Sequence, residues 1–239
     1  MTRKVACALG LGCLVGSCAP RPVDRVAAAV ELDHVYVYAP AGSVEDVVIH
    51  ALTSVGLAVE PRRNEFGDGV VGRYVRFENA YLELLWYDGK TATDAETRRR
   101  ATWESSGASP FGLGLHRRAG VSRELPFPTR SVVEPWMRPG AEFRKLGGVN
   151  DFAAPDLFVV ADSPTNRRPG LQPLGIRRLT GVRVTVISGD ETNGVALINR
   201  SELAAIQRGV EPLLELVFDV GNKNRSLDFR PQLPLTMMY

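Results

Sequence analysis

The residues in this sequence that are best suited to chemistry are a histidine and a glutamate, each in a short run that alternates polar and apolar side chains. His34 lies in residues 32–38, where Tyr36 and Tyr38 follow it at the period of two that is typical of a β-strand. Glu83 lies in residues 80–87, two positions after Tyr81. Imidazole nitrogen and carboxylate oxygen are favoured ligands of divalent metals, and without a metal the same pair can serve as base and orienting partner.

The alternation also predicts which side chains share a face of the sheet. His34, Tyr36 and Tyr38 fall on one side of the first strand, and Tyr81 and Glu83 fall on one side of the second. The opposite sides carry apolar residues that we expect to pack beneath a helix: Val35, Val37, Leu82, Leu84 and Trp86. The sequence therefore predicts a polar, aromatic face that carries His34 and Glu83, and the alternative is a histidine that is merely hydrogen-bonded there.

The elements that position these residues follow in the order strand, helix, three strands. Apolar residues at helical spacing predict a helix over 44–55, which begins after a capping Ser43 and ends at Gly56. The remaining strands of this unit are predicted at 57–60, 70–77 and 80–87.

The second half of the chain is less regular. Strands are predicted at 111–117, 156–161, 180–187 and 213–219, and a helix at 201–208. Residues 126–148 predict a long loop with one short helix, in which Trp136 and Phe143 can cover the site. The similarity of residues 81–86 to residues 213–218 suggests a duplicated module.

Three stretches of the first half resemble the glyoxalase-like members of the vicinal oxygen chelate superfamily: Leu-Asp-His-Val at 32–35, the helix ending at Gly56, and Asn-Ala-Tyr-Leu-Glu-Leu at 79–84. Residues 155–160, 179–182 and the Leu-Glu-Leu around Glu215 are similar to the second half of those domains. The resemblance covers residues 31–220. It implies an α+β fold of paired βαβββ modules whose curled mixed sheets form a central cup, with modules at about 31–106 and 107–239.

Metal-using members of that superfamily take ligands from the first and last strands of each module. By position, His34 and Glu83 are then the catalytic and metal-ligating residues of the first module, and Glu215 is the last-strand glutamate of the second. The second histidine is missing in either alignment, because residues 111–117 place Leu113 there and residues 180–187 place Val182. The resemblance thus implies a divalent metal at His34, Glu83 and Glu215 with an incomplete ligand set.

Two functions of different classes follow. The first is a metal-dependent enzyme, whether lyase, isomerase or dioxygenase, in which the metal binds vicinal oxygens of a small molecule as a Lewis acid. The alternative is a metal-free module that binds or sequesters a small molecule. In both, Tyr36 and Tyr81 contact the ligand, and Arg76 can pair with a carboxylate or enolate. The missing second histidine favours the binding module, and the retained His34 and Glu83 favour the enzyme.

The N-terminus has the pattern of a bacterial lipoprotein signal. Arg3 and Lys4 precede an apolar run over 5–17 that is too short to span a bilayer, which needs roughly 20 residues. Residues 14–18, Leu-Val-Gly-Ser-Cys, resemble a lipobox, which predicts cleavage before Cys18 and its modification by diacylglycerol and fatty acyl groups such as palmitate.

These boundaries predict a signal peptide at 1–17, a tether at 18–30 and a domain at 31–239. The protein is then anchored in the cell envelope by lipid, on the outer membrane facing the periplasm if the source is Gram-negative.

Composition excludes several classes. The three cysteines, at 7, 13 and 18, lie within or at the end of the predicted signal, so the mature chain cannot build a disulfide, a cysteine-ligated zinc site or a thiol nucleophile. The chain has 29 basic and 27 acidic side chains, and removal of Arg3 and Lys4 balances the two. No excess of positive charge indicates a nucleic-acid partner. An apolar content of 44% is sufficient for a sizeable core.

Overall fold

The structure is a computed structural model that describes residues 22–91, 93–122, 124–134, 137, 139–147, 151–160, 169–189 and 192–239. The predicted signal peptide and Cys18 lie outside the described residues, as does Trp136. None of the described helices is long and apolar enough to cross a membrane.

Two mixed sheets and several short helices make the fold α+β, as predicted. The first part of the chain contains α1 (Pro22–Ala29), β1 (Val30–Tyr38), α2 (Glu45–Ser54), β2 (Asn64–Glu65), β3 (Val70–Arg76), β4 (Tyr81–Tyr87), α3 (Ala95–Ala101) and α4 (Trp103–Ser106). The middle part contains β5 (Phe111–Arg117), β6 (Arg130–Val132), β7 (Phe143–Lys145) and β8 (Asp156–Val159). The last part contains β9 (Leu179–Val186), α5 (Asn193–Ser201), β10 (Ala205–Arg208), β11 (Leu213–Phe218), a 3₁₀ turn (Asp219–Gly221), β12 (Ser226–Asp228) and β13 (Leu235–Met238).

The first sheet has eight strands in the order β2-β3-β4-β1-β5-β8-β7-β6. Its central pair, β1 and β5, is antiparallel, and each of these strands is parallel to the strand on its other side, β4 and β8 respectively. The order therefore reads as two four-strand halves that meet at β1 and β5. The first half contains α2 between its first two strands, whereas the described residues between β5 and β6 form no helix.

The second sheet has five strands in the order β10-β9-β11-β13-β12. The suggested duplication of residues 81–86 in residues 213–218 is wrong at the level of topology. The parallel partner of β4 is β1, which precedes it in the chain, whereas the parallel partner of β11 is β13, which follows it. The repetition that the strand order contains is that of β1–β4 and β5–β8, both in the first sheet.

One continuous cluster of buried apolar side chains joins both sheets. On β1 and β4 it includes the residues predicted to face a helix, Val35, Val37, Leu82, Leu84 and Trp86. Phe77 at the end of β3 and Phe218 at the end of β11 lie with ring centroids 4.4 Å apart and connect the two sheets.

Several local predictions differ from the structure because long-range pairing overrides local propensity. The short strand beside β3 is formed by Asn64–Glu65 rather than residues 57–60. Residues 201–208 end α5 and form β10 instead of a helix, and the predicted loop at 126–148 contains β6 and β7. Part of the predicted tether is also structured, because α1 buries Val26 and Ala29 in the core.

Candidate functional site

A β-bulge in β1 decides which side chains reach the open face of the first sheet. The pairing of β1 with β5 shifts by one residue between Leu32 and His34, so Asp33 is an extra residue in the strand. Before the bulge Val30 and Leu32 pack on the core, and after it the core residues are Val35 and Val37. As a result, the neighbouring residues Asp33 and His34 both line the cavity on the opposite face.

Two glycines on β5 leave room for the side chains that lean across from β1. Gly114 is paired with His34 and Gly112 with Tyr36. A Cβ added at Gly114 would lie 2.2 Å from His34 Cε1, and one at Gly112 would lie 2.1 Å from Tyr36 Cε1. The two rings therefore lie directly on the backbone of β5, and any larger residue at either glycine would displace them.

The polar, aromatic face predicted from the alternation is confirmed, and it borders a cavity of about 560 Å³. The predicted residues that line it are His34, Tyr36, Tyr38, Tyr81 and Glu83. Phe143, which was expected to cover the site, also lines it and lies with its ring 5.1 Å from that of Phe158. A cavity of this size falls within the range of about 300–1,000 Å³ that holds drug-sized ligands.

His34 is held by its neighbour in the bulge and is 4% exposed. Its Nδ1 lies 2.8 Å from Asp33 Oδ2, and its ring stacks on Tyr81 with centroids 4.6 Å apart. Because an ionised carboxylate only accepts hydrogen bonds, Asp33 holds a proton on Nδ1 and leaves Nε2 as an acceptor. Nε2 lies 3.8 Å from Glu83 Oε2.

Asp33 also connects this site to a second buried histidine. Its Oδ1 lies 3.2 Å from His116 Nδ1, at ion-pair distance but without hydrogen-bond geometry. Nε2 of His116 makes a short contact with Glu31, which in turn pairs with Arg118 at 2.8 Å. Asp33 was not predicted as a site residue from the sequence. Strict alternation along the strand would place its charge on the apolar face, and this misfit is the signal that could have revealed the bulge.

The pKa values of Asp33 and Glu83, the two carboxyls beside His34, are shifted in opposite directions. Burial on its own raises the pKa of Asp33, but the His116 and His34 imidazoles outweigh it and hold this pKa well below its usual value. Burial raises the pKa of Glu83, and His34 and the Tyr74 hydroxyl only partly oppose this. Opposite shifts of this kind are a feature of sites that bind or transfer charge. His34 Nε2 and Glu83 can therefore accept or donate a proton to a molecule in the cavity.

Tyr81 lines the cavity, but Arg76 is absent from the described residues that line it. The Arg76 guanidinium lies behind the aromatic wall, 5.1 Å from the centroid of Tyr81 and 5.4 Å from that of Tyr74. It also pairs with Glu60. The structure thus places Arg76 as a support for the tyrosines rather than as a direct ligand contact.

The far end of the cavity contains charged residues that the sequence did not single out. Lys145 on β7 lies 2.8 Å from Glu96 and 3.3 Å from Asp156, whose other oxygen accepts from the Tyr36 hydroxyl at 3.3 Å. The buried Arg100 pairs with Glu96 at 3.3 Å. These cations are already matched by carboxylates, and the pairing of β7 with β8 brings Lys145 close to Asp156.

The predicted metal set is not assembled. Glu215 lies on β11 in the second sheet and pairs with Arg183 at 3.3 Å, so it does not join His34 and Glu83. Within the described part of the chain, no group of three or more His, Cys, Asp or Glu is arranged to hold a metal. Zinc sites use three or four protein ligands, and Asp33 is engaged by His34. His34 and Glu83 alone therefore do not complete a zinc site.

Comparison with known proteins adds little to this geometry. No model of a protein family matches the chain, and no curated protein matches it. Among solved structures it is similar to a hypothetical protein from Staphylococcus aureus, with 10% identity, a TM-score of 0.46, and coverage of 87% of this chain and 98% of that one. A hypothetical protein from Bacillus halodurans C-125 has 12% identity, a TM-score of 0.36, and coverage of 57% and 96%. Scores this low carry no argument about fold or function.

The glycines of β5 provide a test of the site geometry. We expect Gly114→Ala to displace the His34 ring and to lower the free energy of unfolding by about 1–3 kcal/mol, the usual cost of overpacking. Histidine side-chain NMR signals report the displacement, and urea unfolding reports the stability. Gly181→Ala in β9 of the other sheet is the control, since its new Cβ would approach Val217 Cβ to 3.3 Å, a tight contact that requires an adjustment of only a few tenths of an ångström. An unmoved His34 signal in Gly114→Ala would contradict the packing described above.

The raised pKa of Glu83 makes a prediction about stability. When a carboxyl has a higher pKa in the folded state than in the unfolded state, the protein becomes less stable as the pH rises between the two values. For Glu83 this loss begins near the ordinary pKa of 4.5 and continues through the raised pKa of the folded state. Glu83→Gln should therefore increase the melting temperature at about pH 7, by a few degrees for each ~1 kcal/mol recovered. The difference should vanish at about pH 4, where both states are protonated. A variant that is less stable than the parent at neutral pH would contradict this interpretation.

Proposed function

We propose that this chain is a lipid-anchored envelope protein whose glyoxalase-like domain binds a small organic molecule in the cavity of the first sheet, without a metal. The observation that carries the proposal is the cavity itself, which combines eight aromatic or imidazole rings with a buried Glu83 and an ordered His34. The rings are those of His34, Tyr36, Tyr38, Phe66, Tyr74, Tyr81, Phe143 and Phe158. Sites for small molecules have this composition, with apolar and aromatic walls and a few placed polar groups.

The strand order supports the glyoxalase-like part of the proposal. Two four-strand halves that meet at β1 and β5 are what paired βαβββ modules would produce in one sheet. In this interpretation the second module is β5–β8 without its helix, the cavity is the cup, and the five-stranded sheet is an addition. The closing strand of the second module is then β8 rather than β11.

The strand register indicates which residues of the proposed second module correspond to His34 and Glu83 of the first. His34 is paired with Tyr81, and Glu83 follows Tyr81 by two residues on the same face. In the second half Gly112 is paired with Asp156, and Phe158 follows Asp156 by two residues. The match that aligns Gly112 with His34 aligns Phe158 with Glu83, and the match shifted by two residues on the same face gives Gly114 and Val160, neither of which is a ligand. A glycine and a phenylalanine provide no ligand, which favours binding without a metal over metal-dependent catalysis.

Metal analysis of the full chain, purified in mild detergent, tests this function. We expect well under one equivalent of any transition metal per chain, and the same background content in His34→Ala and Glu83→Ala. Zinc titration should give no saturable site of high affinity, because two donors are fewer than the three or four of ordinary zinc sites. About one equivalent in the parent that is lost in both variants would restore the metal-dependent enzyme.

The position of α1 gives the proposed anchor a further consequence. The four residue steps from Cys18 to Pro22 reach at most about 14 Å, so a lipidated Cys18 would hold the domain close to the membrane surface. We expect Cys18→Ser to move the protein from the membrane fraction into the soluble fraction, as judged by fractionation and immunoblotting. A variant that stays with the membrane would show that the lipid is not the anchor.

A further inference from the structure

The cavity is negatively charged, although the chain as a whole is nearly neutral. Eight carboxyl side chains line it, against three arginine or lysine side chains and His34. Lys145 and Arg100 are compensated by Glu96 and Asp156, so they offer little to an anion, and Arg62 is the third cation on the lining. Most of the remaining carboxyls that line the cavity have no arginine or lysine at ion-pair distance among the described residues.

The unmatched carboxyls lie at two places. Among the described residues, no arginine or lysine is at ion-pair distance from Glu83, which is 8% exposed and faces the cavity beside His34. Asp68, Asp94 and Glu134 form a second group on the wall, again without a described arginine or lysine at ion-pair distance, although Asp94 accepts hydrogen bonds from the Glu96 and Thr97 amides as the cap of α3. Burial raises the pKa of Glu134, and the nearby carboxylates of Asp94, Glu96 and Asp68 raise it further against the opposing effect of Lys145. Carboxylates that repel one another in this way are stabilised by any cation placed among them.

Aromatic rings line the same cavity as these two groups of carboxyls. Tyr38 is buried and experiences the charges of both Asp68 and Glu83. Its ring meets that of Tyr36 edge to face at 5.7 Å, and Phe158 lies 6.3 Å from Tyr36. Tyrosine and phenylalanine faces attract organic cations, and cages of such rings recognise ammonium groups.

We propose that the ligand of this cavity is a small organic cation, an amine or quaternary ammonium that carries an aromatic or apolar group. The proposal rests on the binding function proposed above and specifies its ligand class. The cationic group lies against Glu83 and the tyrosine faces, and the apolar group contacts Phe143 and Phe158. An anion would be repelled by the carboxylates that have no cationic partner, and a neutral apolar molecule would remove their water without replacing it.

Three probes with one skeleton separate these cases: phenethylammonium as the cation, 2-phenylethanol as the neutral analogue and phenylacetate as the anion. Calorimetric titration of the full chain in detergent should show saturable binding of phenethylammonium in the millimolar range, as expected for a ligand of this size. We expect 2-phenylethanol to bind about tenfold more weakly or worse, and phenylacetate not to bind. Because the cation favours ionised Glu83, whose pKa burial raises, binding should also tighten as the pH rises through the pKa of this carboxyl.

Two variants test whether Glu83 recognises the positive charge of the ligand. Glu83→Gln should weaken phenethylammonium binding by about tenfold, remove most of its pH dependence, and leave 2-phenylethanol binding unchanged. Glu215→Gln is the matched control on the other sheet and should change neither. If 2-phenylethanol or phenylacetate binds as tightly as phenethylammonium, the ligand class is wrong while the binding function stands. If none of the three probes saturates by about 50 mM, the cation proposal and the binding function both fail.

Discussion

The site depends on the close contact between two rings of β1 and the bare backbone of β5. His34 and Tyr36 can lie flat across the neighbouring strand only because Gly114 and Gly112 carry no side chains there. The bulge at Asp33 supplies the other half of the constraint, since it turns two consecutive polar residues to the same face. Without the bulge, one of the pair would be buried as a charge in the apolar core, at a cost of several kcal/mol.

This packing explains the electrostatics of the cavity. Asp33 lies between two imidazoles, which keep its carboxyl ionised and fix the orientation of His34. Glu83 lies on the next strand, where the distant His34 imidazole and the Tyr74 hydroxyl stabilise its charge only in part. Burial therefore disfavours its charged form. A fold does not gain stability by leaving a buried carboxyl so poorly compensated, so the arrangement is better explained by a ligand than by the core.

Much of the first half could be predicted because its strands are regular and one face is apolar. The period of two placed His34, Tyr36, Tyr81 and Glu83 together, and the structure brings them to one cavity. The second half could not be predicted in the same way. Lys145 and Asp156 lie on short strands whose partners are distant in sequence, and only sheet pairing brings them to Tyr36. Glu215 was misplaced because a local Leu-Glu-Leu pattern does not specify which sheet a strand joins.

The nitrogen chemical shifts of His34 test the central claim most directly, since the whole site is organised around this ring. A long-range ¹⁵N–¹H spectrum of the full chain, recorded at alkaline pH, distinguishes the two imidazole tautomers. We expect a proton on Nδ1, held by Asp33, with Nε2 unprotonated towards the cavity, and loss of this preference in Asp33→Asn. A proton on Nε2, or a tautomer that is indifferent to Asp33→Asn, would contradict it.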